Sequence, residues 1–148
     1  MFFGRKTSSS DTANNINFFF MYSDPSGKHL RQSAHERKSG LYQLYHQLNG
    51  YIFTNVTNGN ELEVRYRLRD NPGFELIDEV FTDESRIGQT RHIQIVKIND
   101  RLQYWVDSEK RVDVVDNKFN PVHEQGLIGL RTWHTSLWMD NLIVKQIK

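Results

Sequence analysis

Three arginines at alternate positions, Arg65, Arg67 and Arg69, form the first group whose spacing could do chemistry. Alternate side chains of a strand share a face, so period two sets all three guanidinium groups on one side of a sheet. A planar guanidinium binds a carboxylate or sulfate bidentately, and a row of them suits an anionic ligand. The plainer reading is a solvated outer face on which Glu61 and Glu63 pair with neighbouring strands. Arg67 and Arg69, nearest the Asn71-Pro72-Gly73 turn, are the candidate binding members.

A second group is Tyr42-Gln43-Leu44-Tyr45-His46, leading to Asn49 and Tyr51. It combines an imidazole that titrates near neutrality with phenols and an amide. His46 and Tyr51 are the candidate proton-transfer residues; Tyr45 and Asn49 are candidate binding residues. The competing reading is a hydrogen-bonded structural histidine among packing tyrosines. The third group is Gly126–Trp138. Within it Ile128, Leu130 and Thr132 share one face, and Gly129, Arg131 and Trp133 the other. An aromatic beside an arginine, with Gly129 leaving room, is a platform on which a sugar ring could stack. Arg131, Trp133 and His134 are its candidate binding residues, whereas Trp138 is expected to face the core in phase with Leu142 and Val144.

Other chemistries leave no trace. There is no G-x-S-x-G, no glycine-rich phosphate loop and no H-E-x-x-H. The acidic groups Glu75/Asp78/Glu79 and Asp83/Glu84 lack the spacing of a paired-carboxylate glycosidase, and Asp113/Asp116/Asn117 lack a calcium-loop signature. No metal and no cofactor are expected. With no Cys, disulfides and thiolate chemistry are excluded. The charge balance, 19 Lys+Arg against 18 Asp+Glu, speaks against a nucleic-acid partner. No run approaches the ~20 apolar residues of a membrane helix, so no membrane partner is expected. Without a signal-like segment the default expectation is the cytoplasm, unless the chain extends upstream of Met1.

The elements that must position these residues are strands. Ile16–Tyr22 is almost continuously apolar, as a central strand covered on both faces should be. Asn49–Thr57 and Glu61–Arg69 alternate in polarity and flank Asn58-Gly59, a tight-turn pair. Arg91–Ile98 and Arg101–Asp107 flank Asn99-Asp100 as a second hairpin. Arg111–Val115, Leu127–Trp133 and Leu137–Ile147 follow, and Ser33–Leu48 is the one helical or irregular segment. About ten short strands in 148 residues predict a single all-β domain, an antiparallel sandwich or jelly roll.

Several segments together resemble a known family. They are Asn17-Phe18-Phe19-Phe20, Tyr42-x-x-Tyr45-His46, Leu48-Asn49, Arg67-Leu68-Arg69 through Gly73-Phe74, and Gly126-Leu127-Ile128-Gly129-Leu130-Arg131 through Asp140-Asn141-Leu142. Their order over about residues 14–147 is similar to the YesU-like family, domain of unknown function nineteen-sixty-one. The resemblance implies a concanavalin A-like jelly roll and a tie to bacterial use of carbohydrates, pectin-type polysaccharides among them. It sets Tyr45, His46, Asn49, Arg69 and Arg131 on matching positions, while Trp133 rests on pattern alone. Members of that family begin with strands absent here, so the chain is expected to match the later two-thirds of such a jelly roll.

The expected ligand is therefore an oligo- or polysaccharide containing uronate. A lyase would use Arg69 and Asn49 to neutralise the carboxylate and His46 or Tyr51 to take the C5 proton. A non-catalytic glycan-binding module would use the same face without cleavage. A domain without ligand would instead dimerise through an exposed sheet edge.

Overall fold

The structure, a computed structural model, describes residues 2–5, 14–57, 64–82, 89–133 and 135–146. Its strands are β1 (Phe2–Arg5), β2 (Asn14–Ser23), β3 (Asn49–Thr57), β4 (Val64–Asn71), β5 (Glu75–Thr82), β6 (Thr90–Arg91), β7 (Ile93–Ile98), β8 (Arg101–Val106), β9 (Glu109–Val115), β10 (Leu127–Trp133) and β11 (Ser136–Met139). All pairings are antiparallel. A five-stranded sheet has the order β10-β2-β3-β4-β5, a three-stranded sheet the order β7-β8-β9, and a small third sheet the order β11-β1-β6. The expected all-β sandwich is present.

One face of the five-stranded sheet packs on β7-β8-β9. Ile16, Phe18, Phe53, Tyr66 and Leu68 meet Leu102, Tyr104, Val106 and Val112 there. Tyr104 is the hub, edge-on to Phe18, Phe53 and Tyr66 at centroid separations of 6.2, 5.5 and 5.8 Å. Each large apolar side chain so buried contributes about 1.5–3 kcal/mol before entropy is counted.

The opposite, outer face carries a second apolar cluster of Phe19, Tyr22, Leu48 and Ile52. Over it lies the segment between β2 and β3, with 3-10 turns at Ala34–Arg37 and Tyr42–Tyr45. This is why β2 reads as apolar on both faces: Phe18 and Phe19 serve different cores.

A bulge makes that possible. The register between β2 and β3 shifts between Phe20 and Ser23, and Met21 has φ 57°. The extra residue moves Tyr22 to the outer face beside Phe19, stacked at 4.6 Å. Two glycines allow it. A Cβ on Gly126 would sit 2.1 Å from the Met21 carbonyl carbon, and one on Gly50 would sit 2.6 Å from Tyr22 Cδ2.

Strands β3 and β10 have the bounds read from the alternation, and Ser33–Leu48 is irregular as expected. The Asn99-Asp100 hairpin joins β7 to β8, with Asn99 at φ 53°. The Asn58-Gly59 turn, Glu61 and Glu63 lie outside the described residues. Strand β5 was not legible, because its register against β4 shifts between Leu68 and Arg69 and breaks the period of two. The last strand is shorter than expected, and residues 140–146 carry no strand. Trp138 is corrected with it: it is 74% exposed, and Leu142 and Val144 are exposed too.

Candidate functional site

Strand register sets the site. Residues directly opposite in neighbouring strands share a face, so the pairings Arg131↔Asn17, Asn17↔Thr54, Thr54↔Arg67 and Arg67↔Glu79 draw one row across all five strands. This row lies on the outer face. The next row runs Trp133, Asn15, Val56, Arg65 and Phe81. The row on the other side runs Gly129, Phe19, Ile52, Arg69 and Leu76.

The Tyr42–Tyr45 turn covers the middle of the polar row. Tyr42 donates from its hydroxyl to Asn17 Oδ1 at 3.0 Å, and Thr54 Oγ1 donates to the same oxygen at 3.0 Å. Asn17 Nδ2 donates to Asn15 Oδ1 at 2.8 Å. The Arg131 guanidinium lies 4.5 Å from the Tyr42 ring centroid, within cation–π range. Burial pushes the Tyr42 hydroxyl pKa up, against the Thr54 hydrogen bond and the charges of Arg67, Arg131 and Arg69.

Phe74 organises the other end. Its ring stacks on His46 at 3.7 Å, and the Arg69 guanidinium sits 4.2 Å over it. Arg69 also donates to the Phe74 carbonyl at 2.9 Å, which fixes the guanidinium by two contacts. Glu79 is the carboxylate in bridging range, 3.4 Å from Arg65 Nε and 3.7 Å from Arg67 Nε. Among the described residues no carboxylate bridges Arg69 or Arg131. Burial lowers the pKa of both Arg67 and Arg69. The His46 pKa is lowered by burial first, then by Arg69 and Arg131, which favours the neutral imidazole. Its Nε2 and the Nε atoms of Arg67 and Arg69 are buried without a hydrogen-bond partner. The patch is thus rich in positive charge and short of acceptors.

Residues 3–142 match the family described as a domain of unknown function, DUF6250. The chain belongs to that family. The match is to that family's model and does not extend to the YesU-like family that the ordered segments resemble. Among solved structures, the carbohydrate-binding module CBM66 from Bacillus subtilis is similar, with TM-score 0.54 and 17% identity over 92% of this chain and 67% of the module. That likeness identifies the fold of this DUF6250 domain as a jelly roll. The curated proteins contain no match.

The DUF6250 domain gathers Arg67, Arg69, Arg131, His46 and Trp133 on one face and separates the other candidates from them. Tyr51 projects from the opposite face of β3, fully buried, and donates to Asp116 while accepting from the His123 amide at 3.2 Å. It therefore makes no pair with His46. Burial, first, and the Asp116 hydrogen bond raise its pKa. Tyr45 stacks on Phe19 at 5.3 Å, as packing. Asn49 opens β3, its Nδ2 3.4 Å from Ser23 Oγ. The room at Gly129 is taken by Phe19, whose Cδ2 lies 3.0 Å from where a Cβ would be. His134 lies outside the described residues. Asp113 pairs at the surface with Arg101 and Lys110, whereas Asp116 is buried, so those two carboxylates part.

Asn17, Thr54, Phe74 and Glu79 belong to the site beyond the sequence-predicted residues, and Tyr42, a member of the second group, holds a central place in it. Tyr42 precedes His46 by four residues, a helical-turn spacing that sets the two rings edge to face at 4.5 Å. That spacing was the available signal. The others follow only from register.

Proposed function

We propose that this DUF6250 domain binds an acidic, uronate-containing polysaccharide on the outer face of its five-stranded sheet, without cleaving it. The observation that carries the reading is the convergence of Arg67, Arg69 and Arg131 with, among the described residues, one bridging carboxylate, Glu79. The Arg69 and Arg131 guanidinium groups, held against Phe74 and Tyr42, lose little freedom on gripping a carboxylate. Trp133, 50% exposed and in line with Arg131 on β10, adds a surface for a sugar ring. The name of the similar CBM66 module, a carbohydrate-binding one, agrees with this reading.

Elimination would need a base beside the cations. His46 holds its Nε2 buried, and Tyr51 is on the other face, so the two cannot act as a pair on a surface-bound uronate. The test is calorimetric titration with polygalacturonate, rhamnogalacturonan and alginate, with a neutral galactan as control, while absorbance of a new unsaturated bond is followed. Binding to acidic glycans without absorbance is expected. Absorbance growth would make the protein a lyase, and binding to none of them would remove the reading altogether.

A further inference from the structure

The two rows on the outer face suggest more than a single anion site. The row containing Trp133 and Phe81 ends at both sheet edges in an exposed aromatic, 50% and 52% accessible. Each has an arginine beside it. Arg65 lies in the same row, its guanidinium 4.8 Å from the Phe81 ring centroid. Arg131 lies two residues from Trp133 on the same face of β10, and its pairing with Asn17 leads along the adjacent row to Arg67.

Four strand spacings separate the two aromatics, about 19 Å at 4.7–4.9 Å each. Between them the row holds Asn15, the buried Val56 and the long Arg65 side chain. A pyranose is about as long as one strand spacing. A polyuronate laid across the strands would thus bring about one sugar over each strand, a ring over each terminal aromatic and carboxylates within reach of both arginine groups.

Resting on the binding reading above, we propose that the ligand is an extended acidic glycan of about four or more residues, running perpendicular to the strands from Trp133 to Phe81. The alternative course, along β4, would use Arg65, Arg67 and Arg69 and neither terminal aromatic together with the other.

Oligogalacturonates and oligomannuronates of two to eight residues, titrated calorimetrically, separate these cases. Affinity is expected to climb at least tenfold between the dimer and the tetramer or pentamer and then level off. Trp133→Ala and Phe81→Ala should each lower pentamer affinity several-fold. Both side chains are half exposed, so the variants should keep the wild-type unfolding midpoint, which is measured alongside. If affinity levels off at the dimer, or if either aromatic variant binds the pentamer as wild type does, the perpendicular course is wrong while anionic binding stands. If no length of either series binds, the binding reading itself falls.

Discussion

Arg131 sets its guanidinium carbon 4.5 Å from the centroid of the Tyr42 ring, and Tyr42 donates onward to Asn17 Oδ1. Strands β10 and β2 and the turn before β3 are thereby tied at one point, with the cation still on the outer face. The arrangement fixes a charge without neutralising it. Arg131→Ala should therefore weaken binding of an acidic glycan by about 1.5–3 kcal/mol, roughly ten- to hundredfold in Kd, with little change in stability. Titration calorimetry beside a denaturation curve checks both halves.

Tyr42→Phe separates support from recognition. The ring under Arg131 stays, but the hydrogen bond to Asn17 Oδ1 is lost, and Thr54 still serves that oxygen. Stability should fall by about 1 kcal/mol, and glycan affinity should fall much less than in Arg131→Ala. Urea denaturation gives the first number.

His46 gives the site a pH dependence of known sign. Its folded pKa lies below the unfolded value near 6.5, so the unfolded chain takes up the proton first on acidification. The associated stability is fully present above about pH 6.5 and is lost as pH falls from there through the lowered folded value. His46→Phe keeps a ring against Phe74 and removes the titration. The drop in urea midpoint between pH 7.5 and pH 5.5 should be smaller in that variant than in wild type. An equal drop would place the proton uptake at other groups.

On the far side of β3, Asp70 accepts from Asn120 Nδ2 at 2.9 Å and pairs with His123 Nε2 at 2.8 Å. Asn120 also donates to the Pro72 carbonyl at 3.1 Å. These contacts pin residues 117–126 against the β4–β5 turn. His123→Ala leaves the buried Asp70 carboxylate with the two Asn120 donors alone and should cost about 1–3 kcal/mol. Hydrogen exchange should show the loss concentrated in 117–126.

Which parts of this could be read from the residues follows from what each depends on. Alternation is a local signal, and it gave β3, β10 and the shared face of Arg65, Arg67 and Arg69. Two bulges are not local signals. One moves Tyr22 across β2, and the other scrambles β5, hiding Glu79 as the partner of Arg65 and Arg67. The row from Arg131 to Glu79 depends on strand order, which places β10 beside β2 although over a hundred residues separate them in the chain. Tyr51 was assigned to the site by nearness in sequence to His46, yet strand parity sends it to the opposite core. Trp138 was assigned to the core by its phase with Leu142 and Val144, and that phase ends where the strand does, at Met139.

The most direct test of the central claim removes the ligand's charge while keeping its backbone. Polygalacturonate and its fully methyl-esterified form share one backbone, so their Kd values are compared at low ionic strength and again with added salt. Guanidinium recognition predicts that the acidic form binds at least tenfold more tightly at low salt and that the gap narrows as salt screens the charges. Equal affinity for the two forms, unchanged by salt, would contradict it.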